Sequence, residues 1–325
     1  MRRSFSRELS VAGAIAGLFL LLAIRAPGYF GSENLADIFM TNVPVLLIAL
    51  GMTLVILTGQ IDISVGSMFA VCSVAAGVFA KAGLPMPVAG AAACLTGAFF
   101  GALNGGLVAY ARVPSIVVTL AAMVALRDGL RWATQGAWIE DLPRGFQWLG
   151  FSQRSFPAAS FLIASVLTIA ALWGLRHLPA GRAVYATGSN EEAARLAGIN
   201  TRVCVFSVFT LMGALTGLAA LLNSVRFNQI PSNAGLGLEM KVIAAVVVGG
   251  TAITGGTGSI MGTLLGVILL GVIGPALTFL GINAYWEKAL QGAIILAAIA
   301  ADGARARVAL RGLRRYASSP ASTRA

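Results

Sequence analysis

The chain is 325 residues long, 58 % hydrophobic and only 11 % charged, with a formal net charge of +11. That is more apolar sequence than a soluble core of this size can hide, so the composition excludes a soluble globular protein and places the chain in a bilayer. The excess of positive charge does not call for a nucleic-acid partner, because it is distributed as membrane topology would distribute it.

The apolar runs are continuous rather than alternating, which argues against a β-barrel. With about 20 residues per helical crossing, they account for about ten spans. The expected fold is an all-α polytopic membrane protein. Residues 1–301 form the transmembrane domain, and 302–325 a basic cytoplasmic tail expected to be disordered.

Arg2, Arg3 and Arg7 precede the first run, 9–24. A secretory or twin-arginine signal would need a small-residue cleavage site after Ile24, and none is evident, so an uncleaved helix with its basic end inside is expected. Residues 27–42 read as an outer loop, and 43–59 as a second span ending in Gln60-Ile61-Asp62-Ile63-Ser64-Val65-Gly66. An ionisable group this close to hydrocarbon is by default functional. Asp62 or Ser64 capping the third span is the equally physical alternative.

Spans three and four cover 67–82 and 87–110. Gly97, Gly101 and Gly105 recur every fourth residue and make a smooth stripe against which another helix can pack, with Asn104 on its edge. Arg112 and Pro114 mark an inner turn, and a fifth span covers 115–126. Residues 127–155 form the longest outer region, with Trp132, Trp138 and Trp148 as interface anchors. The sixth span covers 156–178; its lone His177 is expected at a helix end.

Within the inner loop 179–202, the stretch from Gly181 to Asn200 is the only long polar run among the spans of the second half, and it closes with YATGSNEEAARLAGIN (185–200). Ser189 followed by Glu192 is a capping-box spacing, Glu191 and Glu192 suit the positive end of a helix dipole, and Gly198 suits a left-handed stop. A short helix of about two turns is expected, too short to stand alone in water. From spacing alone it is an ordinary loop helix or a docking element.

A seventh span, 201–222, carries Gly213 and Gly217. After an outer connection at 223–239, the run 241–254 is short for a crossing. It leads into Gly249-Gly250-Thr251 and Gly255-Gly256-Thr257-Gly258-Ser259. The three lysines, Lys81, Lys241 and Lys288, lie nowhere near these glycines in the Gly-Lys-Ser/Thr order that a phosphate loop requires. A broken or re-entrant helix packed against Gly262 and Gly266 is expected instead. Thr58-Gly59 before Ser64 and Gly66 parallels Thr254-Gly255 before Ser259 and Gly262, as a two-half pseudo-repeat would produce. Spans at 260–280 and 286–301 complete the bundle. With both termini inside, fourteen of the 23 basic residues lie on the inner side, as the positive-inside rule requires.

Cys72, Cys94 and Cys204 suggest neither a disulfide framework nor a metal site. No histidine cluster, GxSxG elbow or paired carboxylates suggest catalysis.

Four stretches carry a family resemblance: LLIALGMTLVILTGQIDISVGS (46–67), GALNGGLVAYARVPSIVVTLA (101–121), the loop with Glu192-Ala193-Ala194 before Gly198, and GLGLEMKVIAAVVVGGTAITGGTGSIMGTLLG (235–266). Together they resemble the permeases of ribose-type sugar ABC importers, with the rhamnose and autoinducer-2 branch nearest. The resemblance implies that Gly188, Ser189, Asn190, Glu191, Glu192, Ala193, Ala194 and Gly198 couple to a separate cytoplasmic ATPase that uses ATP and Mg. It further implies a periplasmic sugar-binding protein and a second permease copy or paralogue. The chain itself would bind no cofactor and have no ATPase site. Thr58, Gln60, Asp62, Ser64 and Asn104 are expected near the solute route. Branched-chain amino acids are the runner-up cargo, and a secondary transporter or channel the competing class.

Overall fold

The computed structural model describes residues 2–283, 285–294 and 296–297, and within them the chain is helical. The elements are α1 (Arg2–Arg25), α2 (Ser32–Leu57), α3 (Val65–Lys81), α4 (Met86–Ala109), α5 (Ser115–Thr134), α6 (Phe156–His177), α7 (Pro179–Ser189), α8 (Glu191–Leu196), α9 (Thr201–Ser224), α10 (Leu238–Val248) and α11 (Ile260–Phe279). Residues 286–294 are helical as well. The only β pairing among the described residues is an isolated antiparallel bridge, Ile139 to Ile230. Among the described residues, six helices are long and apolar enough to cross a membrane: the 8–25 part of α1, then α2, α4, α6, α9 and α11. The tail 302–325 and the end of the last expected span lie outside the described residues.

The centre is α2. From Val43 to Leu57 it is apolar all round, the pattern of a helix enclosed by others, and 83 % of its crossing window is buried. By contrast α1, 11 % buried, and α6, 22 %, lie at the periphery. Leu95 and Phe99 on α4 and Phe161, Leu162 and Ile169 on α6 are exposed, an apolar surface that lipid would cover.

α4 and α9 pack more closely than any other pair. The reason is the glycine stripe: a Cβ on Gly101 would run into the Phe209 carbonyl, and Gly97 and Gly213 face each other backbone to backbone. A single methyl at any of these positions would push the helices apart.

Three boundaries differ from expectation. The segment 27–42 is not an outer loop: after a 3-10 turn at Pro27–Phe30, α2 begins at Ser32. Its polar first half is held by neighbours, with Asp37 pairing with Arg226 at 2.9 Å and the Asn42 amide donating to the Gly271 carbonyl of α11 at 3.4 Å. The fifth helix runs to Thr134 instead of stopping near Leu126, since Arg127, Asp128 and Arg131 are compatible with helix and Arg127 donates to the Ala234 carbonyl at 2.9 Å. The loop 179–202 holds two helices, not one.

The short run before the glycines is indeed a half-length helix, α10, of 11 residues. The chain then turns irregularly through 249–259. α11 packs along α10 and the start of this stretch, where a Cβ on Gly266 would strike the Ala245 carbonyl of α10 and one on Gly262 that of Gly249.

Candidate functional site

Two interruptions of regular structure meet at one point. α2 stops at Leu57, and Gly59 turns the chain with a φ of +78°. From the other side, Gly255 arrives with a φ of +87° and Gly256 with +73°, conformations that disfavour side chains. The Gly256 amide donates to the Leu57 carbonyl at 2.9 Å. A Cβ on Gly255 would lie 2.8 Å from the Gly59 nitrogen, so the two breaks touch through bare backbone.

The end of α7 is wedged into the same point. A Cβ on Gly188 would collide with the Leu57 carbonyl and sit 2.7 Å from the Gly256 nitrogen, and Ser189 packs directly on Gly256. Tyr185, one turn back, donates to the Gly258 carbonyl at 3.0 Å. Burial pushes the Tyr185 phenol up, while the Arg176 guanidinium pulls the other way. The glycine loop is tied from its far side too: Ser259 caps α11 by accepting from the Gly262 amide at 2.9 Å, and its hydroxyl donates to Glu8 of α1.

α8 follows α7 after a single extended residue, Asn190, whose φ is −163°. Asn190, not Ser189, is the N-cap: its side chain accepts from the Ala193 amide at 3.0 Å. Ser189 cannot cap, because it is the last residue of α7 and a cap needs non-helical backbone. Glu192 does not reach back either; it pairs with Arg195 at 2.7 Å on the exposed face. Glu191 accepts from the Thr201 hydroxyl at 3.1 Å and ties α8 to α9. Gly198 is left-handed, with a φ of +84°. Ala194 is buried while Ala193 is exposed, and Leu196 stands 81 % exposed at the tip of the helix.

Of the five residues assigned to the solute route, Asp62, Ser64 and Asn104 form one buried chain. Asp62 Oδ1 accepts from the Ser64 amide at 2.9 Å and hydroxyl at 2.6 Å, and the Asn104 amide donates to Ser64 Oγ at 2.9 Å. Asp62 therefore does both things its position suggests: it stabilises the start of α3, and it belongs to a polar group joining α3 to α4. Its Oδ2 has no hydrogen-bond partner among the described residues. Thr58 and Gln60 lie elsewhere, lining a cavity of about 480 Å³ together with Glu191, Glu192, Arg195 and Arg112. The break after α2 and the face of α8 thus share one polar chamber.

Sequence reasoning missed Tyr185 and Leu196, and read Arg112 only as the mark of an inner turn. Leu196 was legible as the one large apolar side chain in a short polar helix. Arg112 has a φ of +58°, which no sequence signal announces. His177 is at a helix end as expected, stacked on Trp173.

Residues 34–299 match the family described as "Branched-chain amino acid transport system / permease component". The chain is 37 % identical over 311 residues to the Autoinducer 2 import system permease protein LsrC of Salmonella typhi, covering 95 % of this chain and 89 % of that one. The protein of the same name from Escherichia coli (strain K12 / DH10B) is 37 % identical over the same length, with 91 % of it covered. No solved structure matches.

Proposed function

Given that the chain belongs to this permease family of ABC importers, we propose that it is the membrane-spanning subunit that moves a small sugar-like solute across the bacterial inner membrane. Autoinducer-2 is the solute favoured by the names of the relatives, with rhamnose and ribose-type sugars as near neighbours. A separate ATPase drives it from the cytoplasm, a periplasmic binding protein delivers the solute, and a second permease copy or paralogue completes the channel. Both termini are cytoplasmic. Counting α3, α5, α10 and the helix at 286–294 with the six long helices gives about ten membrane-inserted helices.

The observation that carries this reading is the contact between α7 and the two backbone breaks. α8 offers an exposed apolar tip, Leu196, flanked by Glu192 and Arg195, which suits a cleft in a partner. Any displacement of α8 passes through Asn190 to Gly188 and Ser189, and from there to Leu57 and Gly256. ATP binding and release would then shift the population of states that differ at the breaks.

The test is uptake by the reconstituted complex. Autoinducer-2 should accumulate only with ATP and the ATPase subunit present. Accumulation by the permease alone would establish a secondary transporter or channel instead. The family description makes branched-chain amino acids the second reading. A thermal-shift screen of the cognate binding protein against autoinducer-2, monosaccharides and leucine separates the two.

A further inference from the structure

A second cavity, of about 820 Å³, lined mostly by apolar surface with a few polar and charged side chains, lies between α2, the start of α10 and residues 285–292. Its volume is within the roughly 300–1,000 Å³ of small-molecule sites. It is remote from the α7–α8 junction. Thr41 in the first half of α2 and Asn223 at the end of α9 line it, as do the highly exposed Leu236 and Tyr285 of its rim.

Lys241 lines this cavity from α10; its backbone amide donates to the Gly237 carbonyl at 3.3 Å, while its ammonium makes no hydrogen bond or ion pair among the described residues. Glu287 faces it without forming an ion pair, and its carboxylate is held against Gly274 of α11 and accepts from the Gln291 amide at 2.9 Å. An ammonium inside an apolar bundle is costly unless it is hydrated, paired or used by a ligand. Lys241 of α10 and Glu287 of the helix at 286–294 thus both line the cavity and attract each other without touching, while Phe69 and Met240 supply apolar surface. Adjacent hydroxyls on a carbon skeleton match that arrangement, accepting from Lys241 and donating to Glu287, with C–H faces against the apolar side.

We infer that this outer cavity is a solute-holding site for a monosaccharide-sized polyhydroxylated molecule, with Lys241 and Glu287 gripping vicinal hydroxyls. The inference rests on the permease reading and adds the place and chemistry of recognition. Removing the Lys241 ammonium takes away a charged hydrogen bond, so affinity for the solute falls about tenfold or more. Lys241→Met also removes a charge from a membrane-inserted helix, which favours insertion rather than impairing it.

The probe is maleimide labelling of the full-length chain in nanodiscs, with Leu236→Cys at the rim and the wild type, whose three cysteines are free, as background. Autoinducer-2 or D-ribose should slow labelling several-fold. Lys241→Met should raise the solute concentration needed for protection about tenfold or more, and Lys241→Arg should leave it near the wild-type value. Absence of protection by either solute at millimolar concentration, or an unchanged concentration dependence in Lys241→Met, overturns the inference. ATP-driven uptake by the wild-type complex, measured in parallel, separates the two failures. If uptake is normal while protection is absent, only the cavity assignment is wrong; if uptake needs no ATPase, the permease reading itself is wrong.

Discussion

Gly188→Ala is the sharpest probe of the junction. The added methyl would lie 2.7 Å from the Gly256 nitrogen and 2.9 Å from the Leu57 carbonyl carbon, and closer still to the Leu57 oxygen. Favourable contact requires about 3.5–4.0 Å, so α7 must retreat by about 1 Å. That retreat stretches the bond by which α7 holds the glycine loop, Tyr185 to Gly258 at 3.0 Å. Overpacking of this kind costs about 1–3 kcal/mol. As a bias against the state with α7 seated, it is worth about 5- to 150-fold in coupling. The methyl does not harm α7 itself, since Ala is a better helix former than Gly by about 1 kcal/mol. The assay is uptake per ATP hydrolysed by the reconstituted complex. Hydrolysis should persist while uptake per ATP falls at least about fivefold. An unchanged ratio at normal expression would refute the idea that α7 transmits force by backbone contact at the breaks.

Leu196→Asp alters an exposed tip, so thermal stability should stay within about 0.5 kcal/mol of wild type while co-purification with the ATPase subunit is lost; normal co-purification would move the docking surface elsewhere. Glu192→Ala breaks only an exposed pair worth about 0–1 kcal/mol, so uptake per ATP should fall with no change in melting temperature, and a large stability loss would contradict the exposed geometry. Asn104→Ala removes the buried donor to Ser64 and should destabilise the chain by about 1–3 kcal/mol, read as a lower melting temperature in detergent; no shift would mean that the Asp62–Ser64–Asn104 chain is dispensable. Gly101→Val forces α4 from α9 and should abolish the folded, monodisperse species, whereas retention of that species would show that the stripe tolerates bulk.

Much of the bundle was legible because its signals are compositional. The central helix, the periodic glycines of α4 and the half-length α10 follow from run lengths and spacing. The helical start of α2 was not, because Ser32, Glu33, Asn34 and Asp37 look like a loop until Arg226 is found opposite Asp37. α7 was hidden by its own composition: two glycines, a valine and a threonine in 11 residues make a poor helix in isolation. Packing supplies what propensity does not. Gly181 lies against the backbone of Gly174 and Leu175 at the end of α6, an approach that a side chain would forbid. The cap was misplaced by one residue for the same reason. Ser189 and Asn190 are both good capping residues, and only the continuation of α7 through Ser189 decides between them.

The parallel between the two glycine-containing breaks takes on a different meaning once they are found in contact. Irregular backbone at membrane depth must have its amides and carbonyls satisfied by protein, and here the Leu57 carbonyl, left free by the end of α2, is satisfied by the Gly256 amide of the other break. Neither break can open alone without leaving a polar group unpaired in an apolar setting, a penalty of about 1–3 kcal/mol. The two breaks are thus tied together, and the end of α7 packs on them where both meet. A lever acting there moves α2 and the α10–α11 pair together, whereas a lever on either break singly would have to overcome that penalty. On the proposed function, Glu192 would act where α8 meets its partner, and Gly188 where a push on the exposed helix would reach the interior of the bundle.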